Sequence, residues 1–445
     1  MANLLTYPAL VEAPFIKLTI GDYTFGTYIK STEKYSNRNI DFIQYPNFVD
    51  SMEVVKINGA VNQYTIRLIY QVEPGADPNL MDKILSKVGY GTIKISYGDW
   101  ATPSFIFKEE EALITKTNSN FDFANSRITY TISCTSNALS LLGTTYSFGY
   151  YKNKPSTIIK TILANGYAYG LFDAFTGMKD LDVNQVTSLI DSDDMVVEIE
   201  PKPAMDVLSY LNYLTSCMIP ISNNTDNNTT ADGIYVLTIH DNITDSIEDN
   251  FSGSANIKGT YFTVKKISTY ANTLALTGSD VYTVDIGYPG TRHTTKNDYE
   301  NLVSSFTIRD ENSWALLYKY SDNISFFNNY VYSIDNEGNL ITTMAPNIMK
   351  SDRYNYQTPN QKSWWTEMTS FPVSADLNIK GLVRAMMLTS YVKINTYFYG
   401  QRHISSGLYI VTGQRDTINS SGYKTSLSLL RIGGDDVYNV DVGVK

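Results

Sequence analysis

Four stretches of the chain place apolar side chains at every second position. These are Ile16, Leu18 and Ile20; Tyr64, Ile66, Leu68 and Tyr70; Ile93, Ile95 and Tyr97; and Ile128, Tyr130, Ile132 and Cys134. Most of the positions between them are polar. Successive side chains of a strand point to opposite faces, so this spacing gives each stretch one dry face and one wet face. Residues 14–143 therefore predict an antiparallel sheet or barrel. Between the second and third stretches lies a labelled helix. Asp77 can cap it, Pro78 suits its first turn, Leu80, Met81, Ile84, Leu85 and Val88 form one stripe, and Gly89 ends it. One helix packed on a small barrel is expected for residues 1–146.

The pattern changes after the aromatic linker Tyr146-Ser-Phe-Gly-Tyr-Tyr151. Pro155 opens a helix with Ile158, Ile159, Ile162 and Leu163 on one face and Gly166 after it. Pro203 opens another with Ala204, Val207, Leu208, Leu211, Leu214 and Met218 in register. The acidic stretch 170–195 lies between them. The polar tract 223–233 reads as a surface loop leading to a strand from Ile234 to Ile239. Residues 147–255 thus predict an α+β middle domain.

A second β-unit follows, with Phe262 and Val264 alternating and Val281 to Ile286 extended. It resumes with residues 375–382 and 392–399 and a closing hairpin over 404–432. In that hairpin Leu408 to Thr412 is a β-branched run, Asn419-Ser-Ser-Gly422 is turn chemistry, and Leu427 and Leu429 alternate with Ser426 and Ser428. Residues 256–297 and 373–445 predict a second barrel. Residues 298–372 predict an inserted lobe, with its own hairpin over 331–341 and the aromatics Tyr354, Tyr356, Trp364, Trp365 and Phe371. A lobe of that length needs a small core, and these rings suit one; an exposed sugar- or protein-binding patch is the alternative.

Only 18% of the 445 residues are charged, 35 are Tyr, and the formal net charge is −10 with no basic cluster. Such a balance leans towards β-structure and argues against a nonspecific grip on nucleic acid. Neither a signal-peptide pattern at the N-terminus nor an apolar run of eighteen residues occurs, so no secretion signal or membrane anchor is expected. Cys134 and Cys217 are the only cysteines and are expected as buried free thiols.

Motifs for catalysis are missing. His240, His293 and His403 are isolated from one another, and Asp191-Ser-Asp-Asp194 lacks the Gly and the terminal Glu of a calcium loop. Asp335-Asn-Glu-Gly338 reads as a hairpin turn. Glu109-Glu-Glu111 invites comparison with glycosidase carboxylates, but neighbours on a strand face opposite ways and cannot converge across a cleft; a solvated charge run is expected. No catalytic, cofactor-binding or metal-binding residue is assigned, and the chain is expected not to be an enzyme.

Several segments resemble the tail or baseplate hub proteins of tailed bacteriophages and related contractile injection systems. They are Ser406-Gly-Leu-Tyr-Ile-Val411 followed by Gly422-Tyr-Lys-Thr-Ser-Leu-Ser-Leu-Leu-Arg431, the order of an Asp-Pro helix and Gly89-Tyr-Gly91 in the first unit, Lys154-Pro-Ser-Thr-Ile-Ile-Lys-Thr-Ile-Leu163, and Glu198 to Leu211. The resemblance implies two tube-like antiparallel β-barrels flanking a helix-containing domain. It also implies a homotrimer adapting the six-fold tail tube to a three-fold spike or fibre, partnered by tube and baseplate proteins. DNA would cross its lumen without specific binding, in a virion assembled in the host cytoplasm. Residues 298–372 and 170–195 depart from the family pattern. The alternatives are an adhesin recognising surface glycan through its aromatic lobe and a tail-associated cell-wall hydrolase.

Overall fold

Each alternating stretch forms a strand whose apolar set is buried. Strand Pro14–Ile20 buries Phe15, Ile16, Leu18 and Ile20, and strand Gln63–Gln71 buries Tyr64, Ile66, Leu68 and Tyr70. The computed structural model describes residues 2–3, 14–27, 44–89, 91–99, 108–143, 145–168, 182–220, 234–242, 259–267, 281–286, 303–310, 330–334, 340–344, 373–380, 388–399, 401–403 and 405–434. Over these the chain is mainly β, with an α+β middle portion.

The first unit is a barrel. Strand Tyr23–Gly26 pairs with Pro14–Ile20, which pairs with Thr92–Asp99, then Lys108–Asp122, Arg127–Ser136, Gln63–Gln71 and Val49–Ile57, all antiparallel. The ring closes because Tyr45–Pro46, just before Val49, lies parallel to Phe25 and Gly26. Helix α1 (Leu80–Val88) buries Met81 and Ile84 in this core. Asp77 lies just outside the helix, where its Oδ1 accepts the Asn79 N–H at 3.0 Å; Gly89, at φ 60°, closes the other end by donating its N–H to the Leu85 carbonyl.

The middle unit packs α2 (Ser140–Gly143), α3 (Pro155–Ala168), α4 (Val183–Ser188) and α5 (Val207–Cys217) with the hairpin Ile234–Asn242 and Gly259–Ile267. Ile159, Leu163, Leu208, Leu211, Leu214, Leu237, Ile239, Phe262 and Val264 form its core. Two expectations are corrected. Gly166 lies inside α3 rather than after it. Residues 202–206 form a strand paired with Thr145–Phe148, and the helix begins only at Val207. The start is set by Asp206, whose Oδ1 accepts the Ser209 N–H at 2.7 Å. A side-chain cap fixes a helix start more firmly than a nearby proline does.

The second β-unit runs Val303–Asp310, Val373–Lys380, Gly422–Gly434, Gly407–Asn419, Tyr391–Phe398, Val281–Ile286 and Ala2–Asn3, the last two pairings parallel and the others antiparallel. Val303–Asp310, expected in the inserted lobe, is thus a strand of this sheet. One face buries Leu377, Ile379, Val392, Ile394, Val411, Leu427 and Leu429. On the other, Ile410 and Ile432 pack with Ile234 and Ile267 of the middle-unit hairpin. Strands Tyr330–Ile334 and Leu340–Met344 form the expected separate hairpin. The 335–339 turn, the loop 223–233, His293 and the aromatics from Tyr354 to Phe371 lie outside the described residues.

Strand Gly407–Asn419 serves both β-units. Gly407 to Ile410 pairs with Tyr391 to Ile394 of the second, and Gly413 to Ile418 pairs with Met52 to Ile57 of the first. Ile418 and Tyr423 at the hairpin tip are buried in the first core. The closing hairpin therefore makes one continuous sheet of the two units.

Candidate functional site

The chemistry-bearing side chains converge where the two β-units and the middle unit meet. Glu110 stands on the dry face of its strand together with Ala112 and Ile114, and Lys56 stands on the dry face of Val49–Ile57 together with Met52 and Val54. Lys56 Nζ forms an ion pair with Glu110 Oε1, with both side chains at most 2% exposed. Glu110 Oε2 accepts the Tyr64 hydroxyl at 2.7 Å. Burial and the adjoining Glu110 push the phenols of Tyr64 and Tyr97 well above their usual range. The expectation of a solvated run at 109–111 is thereby corrected. Period two turns the middle carboxylate inward, where Lys56, on a strand separated from this one by two others in the barrel, neutralises it.

A second buried carboxylate, Asp241, sits on the middle-unit hairpin. Its Oδ2 accepts the Asn62 amide at 2.6 Å, and its Oδ1 accepts the hydroxyls of Ser136 at 2.6 Å and Thr260 at 2.8 Å. Burial raises its carboxyl to about 6 despite these donors, and Glu110 adds to the rise. Next to it His240 stacks on Tyr261 with parallel rings 4.7 Å apart, and its Nε2 lies 3.1 Å from the Thr263 hydroxyl. Burial, with Lys265 and Lys56 nearby, lowers this imidazole to about 3. A third carboxylate, Asp416 on the closing hairpin, accepts the Gln414 amide at 2.8 Å and the Thr425 hydroxyl at 2.6 Å. Gln414 is the cross-strand neighbour of Lys56.

The turn between Val49–Ile57 and Gln63–Gln71 is clasped from three directions. Asn58 N–H donates to the Thr412 carbonyl, Gly59 N–H to the Leu237 carbonyl at 2.8 Å, and the Asn212 side-chain amide of α5 to the Gly59 carbonyl at 2.7 Å. Asn62 anchors its far end by donating to Asp241 and accepting the Ser136 N–H at 2.9 Å. One five-residue turn thus ties the first barrel to the middle unit and to the closing hairpin.

The other candidate residues have structural partners. Asp194 is buried and accepts the Ser156 N–H at 2.9 Å and hydroxyl at 2.5 Å at the start of α3, while Asp193 pairs with Tyr235 and Lys266 and Asp191 accepts the Lys266 N–H. Each of these carboxylates is bound by its own fold, and no cluster suited to a metal ion occurs among the described residues. His403 is exposed beside Phe398. Cys134 and Cys217 are buried free thiols, as expected, with burial pushing both up to about 12.

Lys56, Asn58, Gly59, Asn62, Asp241 and Asp416 were not singled out by sequence reasoning. Two signals were available. Asn58-Gly59 between alternating stretches is a hairpin-turn dipeptide, and Lys56 follows Met52 and Val54 at the period that places it on a dry face.

No family model matches this chain, and no curated protein does. Solved structures similar to it include the 43 kDa tail protein of prophage MuSo2 from Shewanella oneidensis, at 9% identity and a TM-score of 0.47, covering 95% of this chain and 100% of that one. The tail protein from Neisseria meningitidis MC58 is similar at 8% identity and a TM-score of 0.46, with coverages of 94% and 97%. An Escherichia coli type VI secretion component, described as structurally similar to the T4 tail proteins gp27 and gp5, follows at 9% identity and a TM-score of 0.43, with coverages of 88% and 76%. Among the described residues no helix is long and apolar enough to cross a membrane.

Proposed function

We propose that this chain is a structural component of a phage-type tail, a hub whose three copies join a six-fold tube to a three-fold spike or fibre. The observation that carries this reading is the strand Gly407–Asn419, which makes one sheet of two β-units in a single chain. Two β-units per copy give a trimer six positions to offer a six-fold ring, and the shared strand prevents the two from swivelling independently. The buried polar joint serves the same end. Asp241 of the middle unit, sealed against Asn62 and Ser136 of the first barrel, would fix the register of the two, since another packing would leave it unpaired. Glu110, locked against Lys56 and Tyr64, supplies nothing to a wall hydrolase. A net charge of −10 suits a lumen that conducts DNA without holding it. Its partners would be tube, spike and baseplate subunits of a virion assembled in the host cytoplasm.

The test is molar mass by light scattering behind size exclusion, with negative-stain imaging of the main peak. A ring with a central hole and three times the 50.0 kDa chain mass is expected. A monomer at every concentration, alone and with tube subunit added, overturns the reading.

A further inference from the structure

The chain contains two Asn-Gly dipeptides, Asn58-Gly59 and Asn165-Gly166. Asn-Gly is prone to cyclise on itself, because glycine has no side chain to obstruct a five-membered ring and lets the backbone rotate into it. At the first site the Gly59 nitrogen would give up its proton to solvent base and bond to Asn58 Cγ. The Cγ–Nδ2 bond breaks, and Nδ2 takes a proton from solvent and leaves as ammonia. Water then opens the succinimide at either carbonyl, giving aspartate or isoaspartate.

In the folded chain each group that must move for this attack is held. Gly59 N–H donates to the Leu237 carbonyl at 2.8 Å, and the Gly59 carbonyl accepts the Asn212 side-chain amide at 2.7 Å. Asn58 N–H donates to the Thr412 carbonyl at 3.2 Å, and Asn58 Oδ1 accepts the Thr238 hydroxyl at 3.2 Å. Leu237 and Thr238 lie on the middle-unit hairpin, Asn212 on α5 and Thr412 on the closing hairpin. All four bonds therefore come from outside the first barrel, and separation of the barrel from the joint removes them together. Asn165 is placed differently. It is exposed within α3, where the helix's own backbone holds Gly166, so its reactivity follows local opening of that helix and not of the joint.

We infer that Asn58-Gly59 is a deamidation site gated by the joint. The closed joint preserves the amide, and an opened joint releases the Gly59 nitrogen to attack. Conversion to isoaspartate then keeps the joint open. Isoaspartate routes the main chain through the side-chain methylene and so lengthens a turn that is clasped from three directions; the longer turn does not re-form all four bonds. The chain thereby carries a one-way record of its joint having opened. The inference goes beyond the hub reading and holds whether or not the chain assembles.

The experiment incubates the full chain at pH 8, as wild type and as Asn212→Ala, and follows both Asn-Gly sites by peptide mapping with mass spectrometry. Native wild type is expected to convert Asn58 more slowly than the urea-unfolded chain by at least about tenfold. Asn212→Ala is expected to raise the native Asn58 rate about fivefold while leaving Asn165 unchanged. Converted chains, separated by ion exchange on their added negative charge, are expected to be cleaved faster between the first barrel and the middle unit. If Asn212→Ala does not fold, wild type in urea below its unfolding transition takes its place, with the same divergence of Asn58 from Asn165 expected. Asn58 converting as fast in the native as in the unfolded chain overturns the gating, and so does equal acceleration at Asn58 and Asn165. Asn58 that stays intact in the unfolded chain overturns the site itself. Converted chains that resist protease like wild type overturn the one-way record.

Discussion

Lys56 Nζ and Glu110 Oε1 form an ion pair sealed from solvent between two strands of the first barrel, directly beside the strand that continues into the second β-unit. Desolvating two charges costs several kcal/mol, which their attraction and the Tyr64 hydrogen bond must offset. Lys56→Met and Glu110→Leu, made singly, are each expected to destabilise the fold by about 3–5 kcal/mol because one buried charge is left unpaired. Lys56→Met/Glu110→Leu is expected to recover most of that loss. Chemical denaturation of the four chains measures the coupling, and additive effects would show that the pair is not a unit.

His240 and Asp241 are adjacent residues with opposite displacements. Asp241 rises from the usual carboxylate value of 3.8 to about 6, so the folded chain holds more protons than the unfolded one, and stability from this group increases as pH falls through 6 towards 3.8. His240 falls from 6.5 to about 3, so the folded chain holds fewer protons, and stability from this group is lost as pH falls through 6.5 towards 3. The two nearly cancel between about pH 6 and 4. Asp241→Asn is expected to expose the histidine, with a melting temperature that drops on acidification more steeply than that of wild type. His240→Phe, which keeps the stacking on Tyr261, is expected to shift the slope the other way. Melting curves from pH 7 to 4 decide it; identical slopes in both variants would refute the compensation.

The β-character and the hairpin of Tyr330–Ile334 with Leu340–Met344 were legible because period two and turn chemistry act over a few neighbouring residues. Strand Arg127–Ser136 is read directly from Ile128, Tyr130, Ile132 and Cys134. The joint was not legible. Glu110 in the run 109–111 has the local composition of a solvated segment, and its burial depends on Lys56, 54 positions away. Asn62 and Asp241 meet across 179 positions. Helix α5 was misplaced at its start because Pro203 is the stronger local signal, whereas Asp206 caps the helix that forms. Long-range pairings of this kind leave only a weak mark on a single sequence, such as a charge at a dry-face position.

Cys134 and Cys217 are buried, and desolvation holds both thiols in the unreactive protonated form. The native chain is expected to resist a disulfide thiol reagent at pH 8, and both sulfurs are expected to react at once after denaturation. Rapid reaction of one thiol in the native state would locate a local opening, in the first barrel for Cys134 or in the middle unit for Cys217.

Gly59 has the least tolerance of any position in the clasped turn. Its φ of 72° lies in the left-handed region that side chains rarely adopt, and a Cβ there would stand 2.6 Å from Asn212 Oδ1. The same Asn212 donates to the Gly59 carbonyl, so relieving the clash by rotating Asn212 breaks the link between the turn and α5. Gly59→Ala is therefore expected to cost about 1–3 kcal/mol through backbone strain together with the lost bond. Gly59→Ala/Asn212→Ala removes the clash while keeping the strain, so it is expected to recover only part. Asn212→Ala alone is expected to cost about 1 kcal/mol. Because the turn also bonds Thr412 and Leu237, the loss should appear first as separation of units, seen as faster proteolysis between the first barrel and the middle unit before global melting. Uniform melting with no such early cleavage would show that the turn supports the barrel alone and does not hold the joint.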